Sequence, residues 1–389
     1  MANNDVTIVK GQGGLGKEFP SQDHVSGIIF FGTKPAGFGT DTVKKVTTLE
    51  EAEAFGLTIA TYPVENYHIS EFYRQNEGAE LWIGYFATPG TWNFAELATL
   101  QNTSLGVIRQ VGIYTQSRTN TSLVADLASI QAVVTTLFED HKPTQVVYAV
   151  DISAVTDLTT LPDLRAQNAP NVSVVIGQDG GAKGADLYVS EGDSITCIGA
   201  VLGAISRSLV HENIGWVDKF NLSDGTELET PAFANSSLFV NLTDTVLNGL
   251  NTKGYLFLRP LVGKTGAWLR DSHTAVAITS DFAHIETNRA IDKAVRLIYA
   301  SILPNINAPV YVNPTTGQLS REATKEIETK CEQPIRRMVA NGELSGGKVF
   351  VSPAQNVLAT SKIEVTAKLV PVGVSRDIDI TISYTPKIS

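Results

Sequence analysis

Apolar residues recur along this chain with two different periods, and the changes between them mark its elements. Val25 to Gly32, Leu81 to Ala87, Val107 to Tyr114, Val146 to Val150 and Val172 to Ile176 are short runs, several almost wholly apolar. Such runs predict strands covered on both faces. Between them, Ser122 to Asp140 sets Leu123, Leu127, Ile130, Val134 and Leu137 three and four residues apart. That spacing predicts an amphipathic helix. Ser194 to Leu209 predicts another, with small residues on one side, so a neighbour packs close to it. Strands alternating with helices from about Glu80 to Thr196 imply crossover connections and a mostly parallel sheet.

Outside that middle the pattern changes. The first twenty residues predict a strand at Val6 and Ile8, then a glycine-rich stretch from Gly11 to Gly16 closed by Pro20. Asp218 to Asn235 is polar and predicts an exposed loop or hairpin. Tyr255 to Arg259 and Thr274 to Thr279 predict strands. Phe282 to Leu303 predicts a long helix. Its apolar stripe is Ile291, Val295, Ile298 and Ile302, its basic stripe Arg289, Lys293 and Arg296, and Pro304 stops it. A second long helix is predicted from Ser320 to Asn341. Glu322, Glu326 and Glu328 lie in its first half and Arg336 and Arg337 in its last, an order that suits the helix dipole. Pro334 predicts a kink or break near Cys331. Ile363, Val365 and Leu369 to Val372 predict one strand. Asp377 to Tyr384 predicts another, with Ile378, Ile380, Ile382 and Tyr384 on one face and Asp377, Asp379, Thr381 and Ser383 on the other. A terminal strand with one apolar face must add to a sheet somewhere.

Length and composition narrow the class. A chain of 389 residues predicts two or three domains. With 43% hydrophobic and 18% charged residues it has material for packed interiors and too little charge for disorder. Mean hydropathy is +0.02, yet the longest apolar stretch, Ile195 to Ile205, is too short for a membrane span. The opening residues lack the basic and apolar regions of a secretory signal, which predicts folding in a cytoplasm. Cys197 and Cys331 are therefore expected to be reduced packing residues. A net charge of −10 argues against a general nucleic-acid binder.

Candidate chemistry is sparse. Gly11-Gln-Gly-Gly-Leu-Gly16-Lys17-Glu18 matches two phosphate-binding patterns, both of which need a helix beginning at the glycines. Pro20 follows too soon for that helix, and Glu18 replaces the magnesium-holding hydroxyl. The run reads instead as a flexible arm. None of the six histidines pairs with another at metal-ligand spacing along the sequence, so no metal is expected. Asp271-Ser272-His273 sets three triad-type residues side by side without a nucleophile elbow. Arg270 and Asp271 are expected to form an ion pair there. Glu50, Glu51 and Glu53 predict an exposed face of a short helix. The stripe Arg289, Lys293 and Arg296 suits a neighbouring acidic protein surface better than nucleic acid. No catalytic, cofactor-binding or metal constellation is predicted.

Arg270-Asp-Ser-His-Thr274 with its following apolar segment, the run Glu286-Thr-Asn-Arg-Ala-Ile-Asp-Lys-Ala-Val-Arg-Leu-Ile298, Pro304, the second long helix and the strands of Lys362 to Tyr384 together resemble the tail sheath proteins of contractile bacteriophage tails and related injection machines. The resemblance implies a mixed α/β fold with no enzyme activity and no cofactor. An inner domain would be built from both chain ends, residues 1–22 and 255–389, with an inserted α/β outer domain over residues 23–254. It implies subunits in six-membered rings, stacked helically around a tail tube and contracting to drive it through a cell envelope. Baseplate and tail terminator proteins would be further partners, with no direct nucleic-acid contact and no membrane insertion. The setting would be a virion tail assembled in the bacterial host cytoplasm. Terminal arms would exchange strands between subunits, through Val6 and Ile8 at one end and Ile378, Ile380, Ile382 and Tyr384 at the other. Gly11, Gly13, Gly14 and Gly16 would be the hinge of the first arm. The helix carrying Arg321, Lys325, Arg336 and Arg337 would face the tube, and Arg289, Lys293 and Arg296 a neighbour. The alternative is a soluble α/β enzyme binding a nucleotide or phosphorylated ligand.

Overall fold

The computed structural model describes residues 22–384. Val6, Ile8, Gly11, Gly13, Gly14 and Gly16, with the Lys17 motif they lead into, lie outside the described residues. The chain divides into two compact units, one holding residues up to 209 and 214–288, the other 210–213 and 289 onward.

The first unit is built on a seven-stranded sheet. In chain order its strands and their neighbours are β1 Ser26–Phe31, β2 Val43–Val46, β3 Leu81–Phe86, β4 Gln110–Thr119, β5 Gln145–Asp151, β6 Val172–Val175, β7 Gly177–Asp179, β8 Pro231–Phe233 and β9 Tyr255–Leu256. The sheet order is β2-β3-β1-β4-β5-β6-β9. Every pairing is parallel except that of edge strand β2 with β3. Because side chains alternate across a strand, each strand feeds two cores. Ile28, Phe30, Val147 and Ala149 pack on one face, beneath helices α1 (Leu49–Ala54), α2 (Pro63–Gln75) and, later in the chain, Ile198–Arg207. Ile29, Val146, Tyr148 and Val150 pack on the other, beneath α3 (Glu96–Thr103), α4 (Leu123–Glu139) and the later helix Asp244–Thr252. The five apolar positions predicted for α4 are all buried, together with Asp126.

The remaining helices of this unit are α5 (Lys183–Glu191), α6 (Ile198–Arg207) and α7 (Asp244–Thr252). The small residues of α6 have the consequence expected of them. A Cβ on Gly199 would stand 2.1 Å from the carbonyl oxygen of His68, and one on Gly203 2.6 Å from that of Phe72. Only glycine lets α6 approach the α2 backbone this closely. Two further strands, β10 (Leu258–Leu261) and β11 (Lys264–Leu269), form an antiparallel pair.

Several expectations for this unit are corrected. Residues 218–235 are not an exposed loop. Phe220, Leu222 and Leu228 are fully buried, and β8 pairs with β7. Asp218, Lys219, Asn221 and Asp224 to Thr226 are exposed between these buried residues, and Arg74 and Gln75 at the end of α2 both donate to the Leu222 carbonyl (2.7 and 2.9 Å). Thr274 to Thr279 is not a strand. Ala275 instead ties into β6 by donating to the Val172 carbonyl (2.7 Å), and Arg165 captures the carbonyls of Thr274 and Val276. Arg270 does not pair with Asp271; it donates to Asn248 (2.6 Å). β9 closes the order of this sheet by pairing with β6.

Helix α8 (Ile285–Ile302) gives its first residues to the first unit and the rest to the second. The second unit continues with α9 (Arg321–Ala340), β12 (Gly346–Val351), α10 (Val357–Thr360) and β13 (Val365–Val370). Ser320 caps α9 by accepting from the Ala323 N–H, and the helix runs through Pro334 without the predicted break. Its buried face, Ile327, Cys331, Ile335 and Met338, packs with Ala290, Ala294, Val349 and Val351 into a separate core. Cys197 and Cys331 are both free and buried. No helix among the described residues is long and apolar enough to cross a membrane.

Candidate assembly surface

β12 and β13 form an isolated antiparallel pair running from Gly346 opposite Val370 to Val351 opposite Val365. One face of β12 is sealed by Val349 and Val351, which pack on α9. Glu328 of α9 locks that contact by accepting the Val351 N–H (3.0 Å) and pairing with Lys325 (2.6 Å). The Lys325 hydrogen bond, with the Val351 amide, holds the Glu328 carboxyl below its usual range. The other face carries Lys348 and Phe350, and β13 is exposed nearly throughout. Lys348 stands directly opposite Lys368 across the ladder. Phe350, Ser352, Gln355, Glu364 and Thr366 line a shallow groove of about 240 Å³ that continues this face.

Among the described residues, none beyond β13 pairs in a strand. Residues 371–384 belong to no helix or strand, so the strand expected at Asp377 to Tyr384 is absent from the single chain. Ile378 and Ile380 are each 76% exposed, Ile382 90%, and Tyr384 is fully open. The alternating apolar positions of 378–384 and most of β13 are thus exposed together.

The candidate cations fall into two groups. On α9, Arg321, Lys325, Arg336 and Arg337 all lie on the exposed face, opposite the buried stripe. Arg336 pairs with Glu332 (2.6 Å) and Lys325 with Glu328, so the face is of mixed charge. The α8 stripe is less open. Arg289 is buried, Arg296 is half-buried, and Lys293 binds Glu343 (2.5 Å) in a largely buried pair. The sequence missed this because Glu343 lies far from Lys293 along the chain and reaches it only through the fold. Glu50 and Glu51 lie in the first turn of α1, where Thr48 caps the helix and the backbone N–H of Glu50 holds its own carboxyl below the usual range.

The chain is similar in fold to chains of contractile injection systems. It is similar to a chain of the anti-feeding prophage helical sheath in its contracted state (TM-score 0.65, 16% identity, all of both chains). It is similar to a chain of the anti-feeding prophage baseplate (TM-score 0.63, 14% identity, 99% of each chain). It is also similar to a chain of the PVC sheath complex of an extracellular contractile injection system, contracted (TM-score 0.63, 12% identity, 98% of this chain and 99% of that one). The fold is that of the sheath proteins of contractile injection systems. No curated protein sequence matches the chain. Family models for the N-terminal and C-terminal domains of DUF2586 match residues 3–273 and 281–389, and the chain belongs to that family.

Proposed function

We propose that this chain is the structural subunit of a contractile tail sheath, without catalytic activity. It polymerises as stacked hexameric rings around a tail tube and contracts to drive that tube through a cell envelope. The observation that carries the reading is the joint exposure of β13 and the arm at 377–384, set on a sheath fold. Strand addition from another subunit supplies main-chain hydrogen bonds to the open edge and a cover for the arm's apolar face. The charges agree. Lys348 and Lys368 face one another on the pair, and Asp377 and Asp379 lie on the arm's polar side. A head-to-tail contact of this kind does not close on itself and generates a filament.

In this reading residues 255–389 with the 1–22 arm form the inner domain and residues 23–254 the outer one. Val6 and Ile8 enter the shared sheet from the other end of the chain, with Gly11 to Gly16 as their hinge. The mixed-charge face of α9 meets the tube, a polar contact weak enough to release on contraction. Baseplate and tail terminator proteins bind the ends of the sheath, and the setting is a virion tail assembled in the bacterial host cytoplasm.

The test is negative-stain electron microscopy of the full-length protein, with tube protein added, beside a truncation lacking residues 376–389. Hollow tubes of uniform width from the full chain and a soluble, folded monomer from the truncation are the expected results. Tubes from the truncation refute the role of this arm. Small discrete particles from the full chain in the presence of tube protein refute the sheath reading.

A further inference from the structure

We infer that Asp271, His273 and His284 form a binding site for a divalent transition metal, zinc by its donor set. All three residues lie in the first unit. Their ligand atoms come within 4.8 Å of one another. His273 Nε2 is 3.9 Å from one oxygen of Asp271, and His284 Nδ1 is 3.9 Å from the other. Both separations are too long for a hydrogen bond. They suit a shared ion: zinc bonds of about 2.0–2.1 Å place tetrahedral ligands about 3.4 Å apart, which small side-chain rotations reach from here. The two imidazoles lie with ring centroids 5.4 Å apart. Asn251 Oδ1, 3.2 Å from His273 Nε2, is a further oxygen donor for a fourth position.

The backbone holds this arrangement in place. His273 and His284 form an antiparallel bridge that closes the loop 274–283. Thr274 N–H donates to the Ala283 carbonyl (3.1 Å) and Ile285 N–H to that of Ser272 (2.9 Å). The Thr274 hydroxyl donates to the Phe282 carbonyl (2.7 Å), and Asn288 donates to the His284 carbonyl (2.9 Å). The ligands therefore stand on a braced loop rather than on mobile surface side chains, with 5–14% of each exposed. The buried Glu286 carboxylate accepts a hydrogen bond from Ser272, which lies between two of the ligands. Two imidazoles and a carboxylate suit zinc better than the oxygen-seeking magnesium or calcium. A bound metal would staple the 274–283 loop. The inference stands apart from the assembly reading.

The full-length protein, stripped with chelator, is titrated with Co²⁺ as a spectroscopic probe and then with Zn²⁺. One equivalent of cobalt is expected to produce a visible absorption band of low-coordinate geometry, which zinc displaces. Zinc is expected to raise the Tm of the stripped protein. His284→Gln and His273→Gln should abolish the band and weaken binding by about a hundredfold or more. A band that survives in both folded variants assigns the metal to other histidines and overturns the site. Should the variants fail to fold, the wild-type protein decides: no stoichiometric cobalt band and no zinc-dependent rise in Tm overturn the proposal.

Discussion

Ile380→Asp separates the two places where the arm could belong. Ile380 is 76% exposed in the single chain, so the substitution removes almost no packing from the monomer. Its unfolding midpoint should shift by no more than the roughly 0.5 kcal/mol typical of surface changes. In a shared sheet the same residue is covered. Burying an isoleucine side chain is worth about 2 kcal/mol. Placing a carboxylate there without a partner costs about 2 kcal/mol more. Together these weaken each subunit contact by about 4 kcal/mol, which raises the concentration needed for assembly about a thousandfold. Thermal denaturation of the monomer and sedimentation of assembled tubes over a concentration series measure the two quantities. The reasoning fails if Ile380→Asp unfolds the monomer like a core mutation, because the arm then packs within its own chain. It fails equally if tubes form at the wild-type concentration.

Two further outcomes follow from the structure. Reversing Arg336 and Arg337 to glutamate breaks only an exposed pair with Glu332, so stability should change by no more than about 0.5 kcal/mol while co-sedimentation with tube protein falls; undiminished co-sedimentation removes α9 from the tube contact. His68 of α2 is fully buried with its ring against Phe30 of β1 and Tyr114 of β4, and desolvation pushes its pKa from 6.5 down to about 3. Below pH 6.5 the unfolded chain takes up a proton that the folded chain refuses. Stability is therefore lost as pH falls from 6.5 toward 3, by up to ~1.4 kcal/mol per pH unit. His68→Leu should flatten that slope by one proton in denaturant titrations between pH 6 and 4, and an unchanged slope rules His68 out as its source.

The sequence by itself determined the α/β sheet, the two long helices and the alternation of apolar residues at 377–384, though not a strand there. Each rests on a local regularity: apolar runs for β5 and β6, a stripe at spacings of three and four for α4, strict alternation at Asp377 to Tyr384. It also carried the close helix contact, since Gly199 and Gly203 lie on one face of α6. Tertiary structure decided what depends on residues distant in sequence. Leu222 and Leu228 are buried because the end of α2 takes up the Leu222 carbonyl, which no polarity pattern records. Thr274 to Thr279 has strand-like composition, yet the carbonyls of Thr274 and Val276 go to Arg165 and the Ala275 N–H to Val172. Lys293 looked like a free interface cation until the fold brought Glu343 to it. His273 and His284 show no ligand spacing along the chain, and a braced loop sets their rings side by side. The period of a segment is written in its own residues. The partner that satisfies a buried carbonyl, a charge or an imidazole is written elsewhere in the chain, and only packing brings the two together.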